Sequence, residues 1–372
     1  MMMYTKPFLN SSLFCGVALG VATLLTGCGE ANNDKLSTRG GGGGGEFASV
    51  TDNHVHPVQT GFNLAPVHEM SVNAAKGYVL SSYLLDEQMG KLCQSYSEET
   101  LQAAQQAWLQ SMHSWMKFQG REKGSEAALA LGWKVQFWPD KKNTTGRKVK
   151  QLLQAETLPT SQGIADQSVA VQGLGAVEWF LFQEQKQLAD PKYCQLAHAI
   201  TGNMLTTAKA LEMAWEENPW QDLTPQLALA EYLGALNNQL DYTLKKLTRP
   251  MGKPGQPKPY QAEAWRSQTS MLSLKASVEA LHQLYLANGK GLNHLLIESG
   301  HEVTANRINQ RFELLLEDWP KQNSMVAMMK TKEGYRDLIN VFNGLEYIQI
   351  ALHDDVAAEL GIVMGFNATD GD

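Results

Sequence analysis

The sequence predicts an all-α protein built as two tandem up-down four-helix bundles, and three observations carry that prediction. Apolar residues recur at spacings of three and four over long stretches, strand-like alternation is scarce, and proline or glycine clusters cut the chain into segments of helical length. With 372 residues the chain has room for two domains, each able to bury its own core. Charged residues make up 19% of it, below the usual quarter, which suits helices with wide apolar faces. A net charge of −7 and no dense basic run argue against a nucleic-acid partner.

In chain order, residues 1–28 read as an address. Lys6 supplies a positive start and Leu13 to Leu25 a short apolar core, too brief for a membrane span. Leu25-Thr26-Gly27-Cys28 resembles a lipobox, so Cys28 is expected to become the acylated first residue of a lipoprotein. The resemblance implies a lipid anchor in a bacterial cell envelope. Gly29 in place of aspartate implies the outer membrane, facing the periplasm, over the inner. Residues 29–64, with glycine at every position from Gly40 to Gly45, cannot bury enough apolar surface to offset ordering entropy and are expected to be a flexible tether. His54 and His56 lie inside it and could begin a metal site, but no third ligand stands nearby.

The helical body follows. Leu101, Ala104, Trp108, Met112, Trp115 and Phe118 make one stripe, and Leu229, Leu233, Leu236, Leu240, Leu244 and Leu247 a second. Further stripes run from Met271 to Tyr285 and from Tyr335 to Leu360. Their tryptophans and methionines are expected in the core. Helices at 67–94, 97–119, 168–187 and 192–217 would form an N-terminal bundle over 65–219, with an insertion at 131–165. Helices at 222–248, 262–288, 301–318 and 330–360 would form a C-terminal bundle over 220–372. Four prolines between Arg249 and Pro259 are expected to keep that segment out of any helix interior. An echo of Gly173-Leu-Gly-Ala-Val-Glu-Trp179 in Gly344-Leu-Glu-Tyr347 would fit an internal duplication.

Cys15 leaves with the signal, and Cys93 and Cys194 remain for a disulfide in an oxidising compartment. The end of a first helix and the start of a fourth face the same way in an up-down bundle. Closing a loop of roughly a hundred residues is worth on the order of 4 kcal/mol in the chain-entropy account.

Chemistry concentrates in Val169 to Phe182, where Gln172 and Glu178 are the only polar side chains among fourteen residues. A helix apolar on every face is buried, so Glu178 needs a cation, a metal or a proton. Gly173 and Gly175 each cost about 1 kcal/mol relative to alanine in a helix, a cost tolerated where backbone must approach something closely. The bland account is tight helix packing around a carboxylate paired with a lysine or arginine. The functional one places Glu178 in a cleft between the two bundles, with Arg266 or the acidic tail Asp370-Gly-Asp372 in reach. That tail and Glu178 supply oxygen ligands of the kind hard cations take.

The Val169–Phe182 segment resembles the imelysin-like family of bacterial periplasmic proteins and its Gly-x-His-x-x-Glu motif. Gly173 and Glu178 match the first and last positions, and Gly175 stands where the family has histidine. Phe137 to Arg147, Ala264-Trp-Arg-Ser267 heading a long helix, and Leu360 to Asp372 also resemble family segments. The resemblance implies tandem helical bundles and a ligand cleft drawing on Gly173, Gly175, Glu178, Asp140, Arg147, Arg266 and Ser267. It further implies a non-enzymatic envelope protein that binds a metal, namely iron or an iron-bearing ligand, in association with iron-uptake components. A surface binding module for a polysaccharide or protein partner is the alternative, since one relative resembles an alginate binder. A metallopeptidase ranks third, because the motif histidine is missing. No His-Glu-x-x-His, Ser/His/Asp or Cys/His set stands in for it, and His301-Glu302 and His353-Asp-Asp355 lack partners.

Overall fold

Most of the long helices begin where the sequence supplies a start signal. The computed structural model describes residues 61–253 and 255–362. Asn63 Oδ1 accepts the Ala65 N–H at 3.0 Å, and Pro66 opens α1 (Ala65–Gln94). Ser97 and Thr100 form a reciprocal capping box at the head of α2 (Glu98–Trp115), whose first turn carries Glu98 and Glu99. Asp190 caps α8 (Pro191–Ala214) and Thr224 caps α9 (Pro225–Met251), each with proline in the first turn. Thr331 caps α14 (Lys332–Ile350). Between them lie α3 (Glu126–Leu129), α4 (Gly132–Val135), α5 (Thr144–Leu153), α6 (Ser161–Ile164) and α7 (Leu174–Glu178). In the second half α10 (Ser270–Leu286), α11 (Leu292–Glu298), α12 (Glu302–Glu317), α13 (Met325–Met328) and α15 (Ala357–Glu359) complete the set.

The fold is all-helical, as the stripes require. Two closed rings of neighbours account for the packing. In the first half α1 packs on α2, α2 on α7, α7 on α8 and α8 back on α1; in the second α9, α10, α12 and α14 close the same way. Each ring has the adjacency of a four-helix bundle. α2 also touches α10, joining the rings. The stripe residues Trp108, Met112, Trp115, Leu229, Leu240 and Leu345 are all buried. Cys93 and Cys194 are disulfide-bonded, their Cα atoms 5.4 Å apart, pinning the end of α1 to the start of α8. Among the described residues no helix is long and apolar enough to cross a membrane.

Three expectations are corrected. The stretch 168–187 is not one helix. A 3-10 turn at Val169–Val171 precedes α7, and α7 passes directly into a π-helical turn at Trp179–Gln183, closed by Glu184 N–H to the Trp179 carbonyl at 3.0 Å. The break at Gly173 has a steric cause: a Cβ there would collide with the Val135 and Lys134 carbonyl oxygens. Ala264 to Ser267 does not head a helix, because α10 starts only at Ser270. Positive φ at Ala264 (53°) and Gln268 (60°) instead folds 262–269 into an irregular loop. Pro250 lies inside α9 and is accepted in its last turn, where the helix ends one residue later at Met251. Cys28, His54, His56, Asp370 and Asp372 lie outside the described residues.

Candidate functional site

The loop 262–269 works as a clasp between the rings, and it does so through two buried carboxylates. Glu178, at the junction of α7 with the π-helical turn, is 3% exposed. Its Oε1 accepts the Ser267 N–H at 2.9 Å and the Ser267 hydroxyl at 3.0 Å. Thr269 Oγ1 lies 2.8 Å from Ser267 Oγ and can donate to it in turn. Glu178 Oε2 faces Arg266 Nη1 at 3.6 Å, a charge contact beyond hydrogen-bond reach. Arg266 spends its aligned donors elsewhere: Nε on Gln183 Oε1 at 2.9 Å and Nη2 on Asn143 Oδ1 at 2.8 Å. Its guanidinium also lies 4.6 Å over the Trp265 ring. Burial pushes the Glu178 carboxyl above its ordinary range, opposed by Arg266 and the Ser267 donors.

The second carboxylate, Glu263, is also 3% exposed. Its Oε1 accepts Gln119 Nε2 at 2.8 Å and Gln136 Nε2 at 3.3 Å. Lys246 Nζ lies 3.1 Å from Glu263 Oε2, an ion pair without the alignment of a hydrogen bond. The same ammonium is 3.0 Å from both Ser277 Oγ and Met116 Sδ. Burial pulls the Lys246 ammonium down from its ordinary value, with Glu263 opposing. Glu263, Lys246, Gln119 and Gln136 were not singled out from the sequence, yet a signal existed. Gln239, Thr243 and Lys246 form a buried polar stripe at helical spacing beside the leucine stripe of α9.

The structure therefore gathers Glu178, Arg266 and Ser267, and separates them from the other candidates. Asp140 accepts the Thr144 and Thr145 N–H groups at 2.6 and 3.0 Å and so caps α5. Arg147 is exposed on α5 and reaches only Thr144 Oγ1, at 3.4 Å. Gly173 packs against α4, as described above. Gly175 is half-buried, and an added Cβ would meet Gln136 Oε1 at 3.6 Å, an ordinary contact distance. The cleft expected beside Glu178 is a closed seam, with the Arg266 and Glu178 side chains 5% and 4% exposed. Among the described residues no three His, Cys, Asp or Glu side chains gather where a metal ion could be held. His301 Nδ1 lies 3.7 Å from Glu359 Oε2, and His353 Nδ1 lies 2.7 Å from Asp354 Oδ1, each without a third donor. A bare cation at Glu178 would also sit beside the Arg266 charge, so the described residues do not fit a protein-held metal ion at this seam.

The imelysin family model matches residues 73–352, three quarters of the chain. The chain belongs to the imelysin family. An imelysin-like protein from Psychrobacter arcticum 273-4 shares the fold with a TM-score of 0.68 at 19% identity, covering 82% of this chain and 96% of that one. A protein designated a candidate iron-regulated protein A precursor, from Parabacteroides distasonis ATCC 8503, superimposes with a TM-score of 0.59 at 13% identity, covering 78% and 94%. No curated protein matches the sequence. Within this imelysin-family fold, Gly173 caps α7 and Glu178 ends it, with the half-buried Gly175 between them.

Proposed function

We propose that this imelysin-family protein is a non-enzymatic cell-envelope lipoprotein, anchored through Cys28 in the outer membrane, that binds an iron-bearing ligand at the Glu178–Arg266–Ser267 seam and serves iron uptake. One observation carries the reading. Arg266 is held by two neutral side chains, Asn143 and Gln183, both on exposed residues, while its charge contact with Glu178 stays unaligned. A ligand carboxylate can displace the two amides and take the guanidinium in a bidentate fork. The ligand's own N–H or O–H groups can then approach Glu178 Oε2. A ferric chelate with free carboxylates offers this chemistry, whereas a bare ion would meet the guanidinium first. The iron-regulated designation of a structural relative supports the same direction.

The test is calorimetry with ferric citrate, citrate alone and free ferric or ferrous ion. Ferric citrate should bind the wild type and weaken roughly tenfold or more in Arg266→Met, the size of a charge-assisted hydrogen bond. Equal affinity in wild type, Arg266→Met and Glu178→Gln would overturn the reading. Labelling with a palmitate analogue, lost in Cys28→Ala, tests the anchor.

A second reading rests on a separate feature. A cavity of about 510 Å³ is lined by Trp133, Trp138, Lys141, Lys142, Lys245 and Arg249. Its aromatic walls and basic groups suit an anionic polysaccharide, although Glu122, Asp140 and Asp241 also line it and Lys245 is already paired with Asp241 at 2.8 Å. Salt-sensitive retention on a polyuronate gel, lost when Lys141 and Lys142 are both changed to alanine, would favour it over the chelate.

A further inference from the structure

Arg121 is the buried cation that the seam does not explain. It is 5% exposed, follows the end of α2, and donates from Nη1 to Ser71 Oγ at 3.0 Å and from Nη2 to the Lys117 carbonyl at 2.7 Å. A guanidinium has five N–H donors, so three are left, and Nε is buried with no partner. Among the described residues no carboxylate is paired with it, and burial draws it down to about 10, opposed by Tyr232. Its guanidinium carbon lies 5.7 Å from the Phe118 ring centre, and a buried charge with no anionic partner is a costly feature for a fold to carry.

The same arginine lines a cavity of about 140 Å³, with Trp115, Phe118, Trp133, Trp215 and Gln136 among its walls. For scale, an apolar cavity of roughly 150 Å³ holds benzene. Five aromatic residues, Tyr242 the fifth, and a hydrogen-bonding edge describe a slot for one planar ring. Aromatic walls alone would also suit an organic cation, but the guanidinium excludes one. The polar edge is fixed from behind. Glu263 Oε1 takes the amide N–H groups of Gln119 and Gln136, which turns their carbonyl oxygens away from it, and both oxygens are buried without a partner. Both residues line this cavity. Trp115 Nε1 and Trp215 Nε1 are likewise buried and unpartnered. At the mouth, Glu122 is exposed and Lys123 is paired with Glu231 at 2.8 Å, so neither replaces the missing anion.

We propose that this cavity binds a small aromatic carboxylic acid, its carboxylate on the Arg121 guanidinium, its ring between the indole and phenyl walls, and a ring hydroxyl or amino group on the Gln119 and Gln136 carbonyls. The site is separate from the seam and needs neither Glu178 nor a metal.

The experiment titrates the full chain with benzoate and 4-hydroxybenzoate, read by tryptophan fluorescence and calorimetry, against benzamide, phenol and acetate. Both acids should saturate, with 4-hydroxybenzoate the tighter. Benzamide and acetate should be weaker by roughly tenfold or more, as loss of the charged hydrogen bond or of the ring requires. Trp133→Ala, at a rim residue 56% exposed, should weaken benzoate several-fold while leaving the circular dichroism melt unchanged. Arg121→Met should abolish the preference for benzoate over benzamide. If that variant does not fold, the benzoate-to-benzamide ratio in the wild type decides alone. Equal binding of benzoate and benzamide, or no saturation by either acid with the native spectrum intact, would overturn the proposal.

Discussion

Glu178 and Glu263 receive nearly the same treatment from one loop, and differ in who can reach them. Each is 3% exposed, each gives Oε1 to two neutral donors, and each turns Oε2 toward a cation without an aligned hydrogen bond. The cation stands 3.1 Å away at Glu263 and 3.6 Å away at Glu178. What separates them is the second set of partners. Lys246 is held by Ser277 and Met116, both inside the core, so releasing it means opening the molecule. Arg266 is held by Asn143 and Gln183 at the surface, so releasing it means breaking two exposed hydrogen bonds. Equivalent electrostatics thus yield a lock on one side of the loop and a latch on the other.

The largest expected effect comes from breaking the lock. Lys246→Met strands the Glu263 charge in a buried site and should cost about 3–5 kcal/mol in chemical denaturation. The double variant Lys246→Met with Glu263→Gln should recover most of that loss, because no charge is left to strand. If the single variant costs no more than the double, Glu263 has another route to compensation and the distinction from Glu178 weakens. At the latch, Arg266→Met should cost less, about 1–3 kcal/mol, since both Ser267 donors remain and Glu178 can take up a proton. A loss at Arg266 equal to that at Lys246 would mean that the two clasps are structurally alike.

The sequence carried the fold further than it carried the site, for a physical reason. Helix existence is written in local spacing, and the stripes through Trp108, Leu236 and Leu345 were all recoverable from it. Glu178 was legible because it is the lone carboxylate in an apolar run. Glu263 was not, because its burial is decided by residues far away in the chain, Gln119, Gln136 and Lys246. Sequence resemblance puts Ala264–Ser267 at the head of a helix, although the apolar stripe of that helix begins only at Met271. Only the tertiary contacts at Ala264 and Gln268 repay the positive φ that turns Ser267 toward Glu178. Asp140 and Arg147 were placed near the site on sequence resemblance, yet their contacts serve the start of α5.

A smaller effect is read at Glu178 through pH. The Glu178 carboxyl is raised by burial in the folded state. The folded protein therefore holds a proton there at pH values where the unfolded chain has lost it. The corresponding stability is fully present below the unfolded carboxyl pKa, about 4.5, and is lost as pH rises through the folded one. Stability measured from pH 4 upward should fall more steeply in wild type than in Glu178→Gln, whose amide does not titrate. Parallel profiles would show that Arg266 and Ser267 already compensate the charge in full.

The smallest effect concerns Gly175, where the comparison moves from Glu178's partners to its own helix. Gly173, two residues earlier, cannot accept a side chain because carbonyl oxygens of Lys134 and Val135 occupy the space. Gly175 lies in α7 with a negative φ, and its nearest neighbour to an added Cβ would be Gln136 Oε1 at ordinary contact distance, 3.6 Å. Alanine there should stabilise the protein by up to about 1 kcal/mol, the helix-propensity difference from glycine, read as a small rise in melting temperature. The Gly175→His variant then asks whether this position can carry a ligand. Residues three apart share a helix face, so imidazole and the Glu178 carboxylate could together hold a transition metal. The Arg266 charge beside Glu178 opposes a cation there, so calorimetry should show no zinc binding gained in Gly175→His or in Gly175→Ala. Zinc bound by Gly175→His and not by Gly175→Ala would show instead that Glu178 can leave Ser267 and Arg266 for a metal.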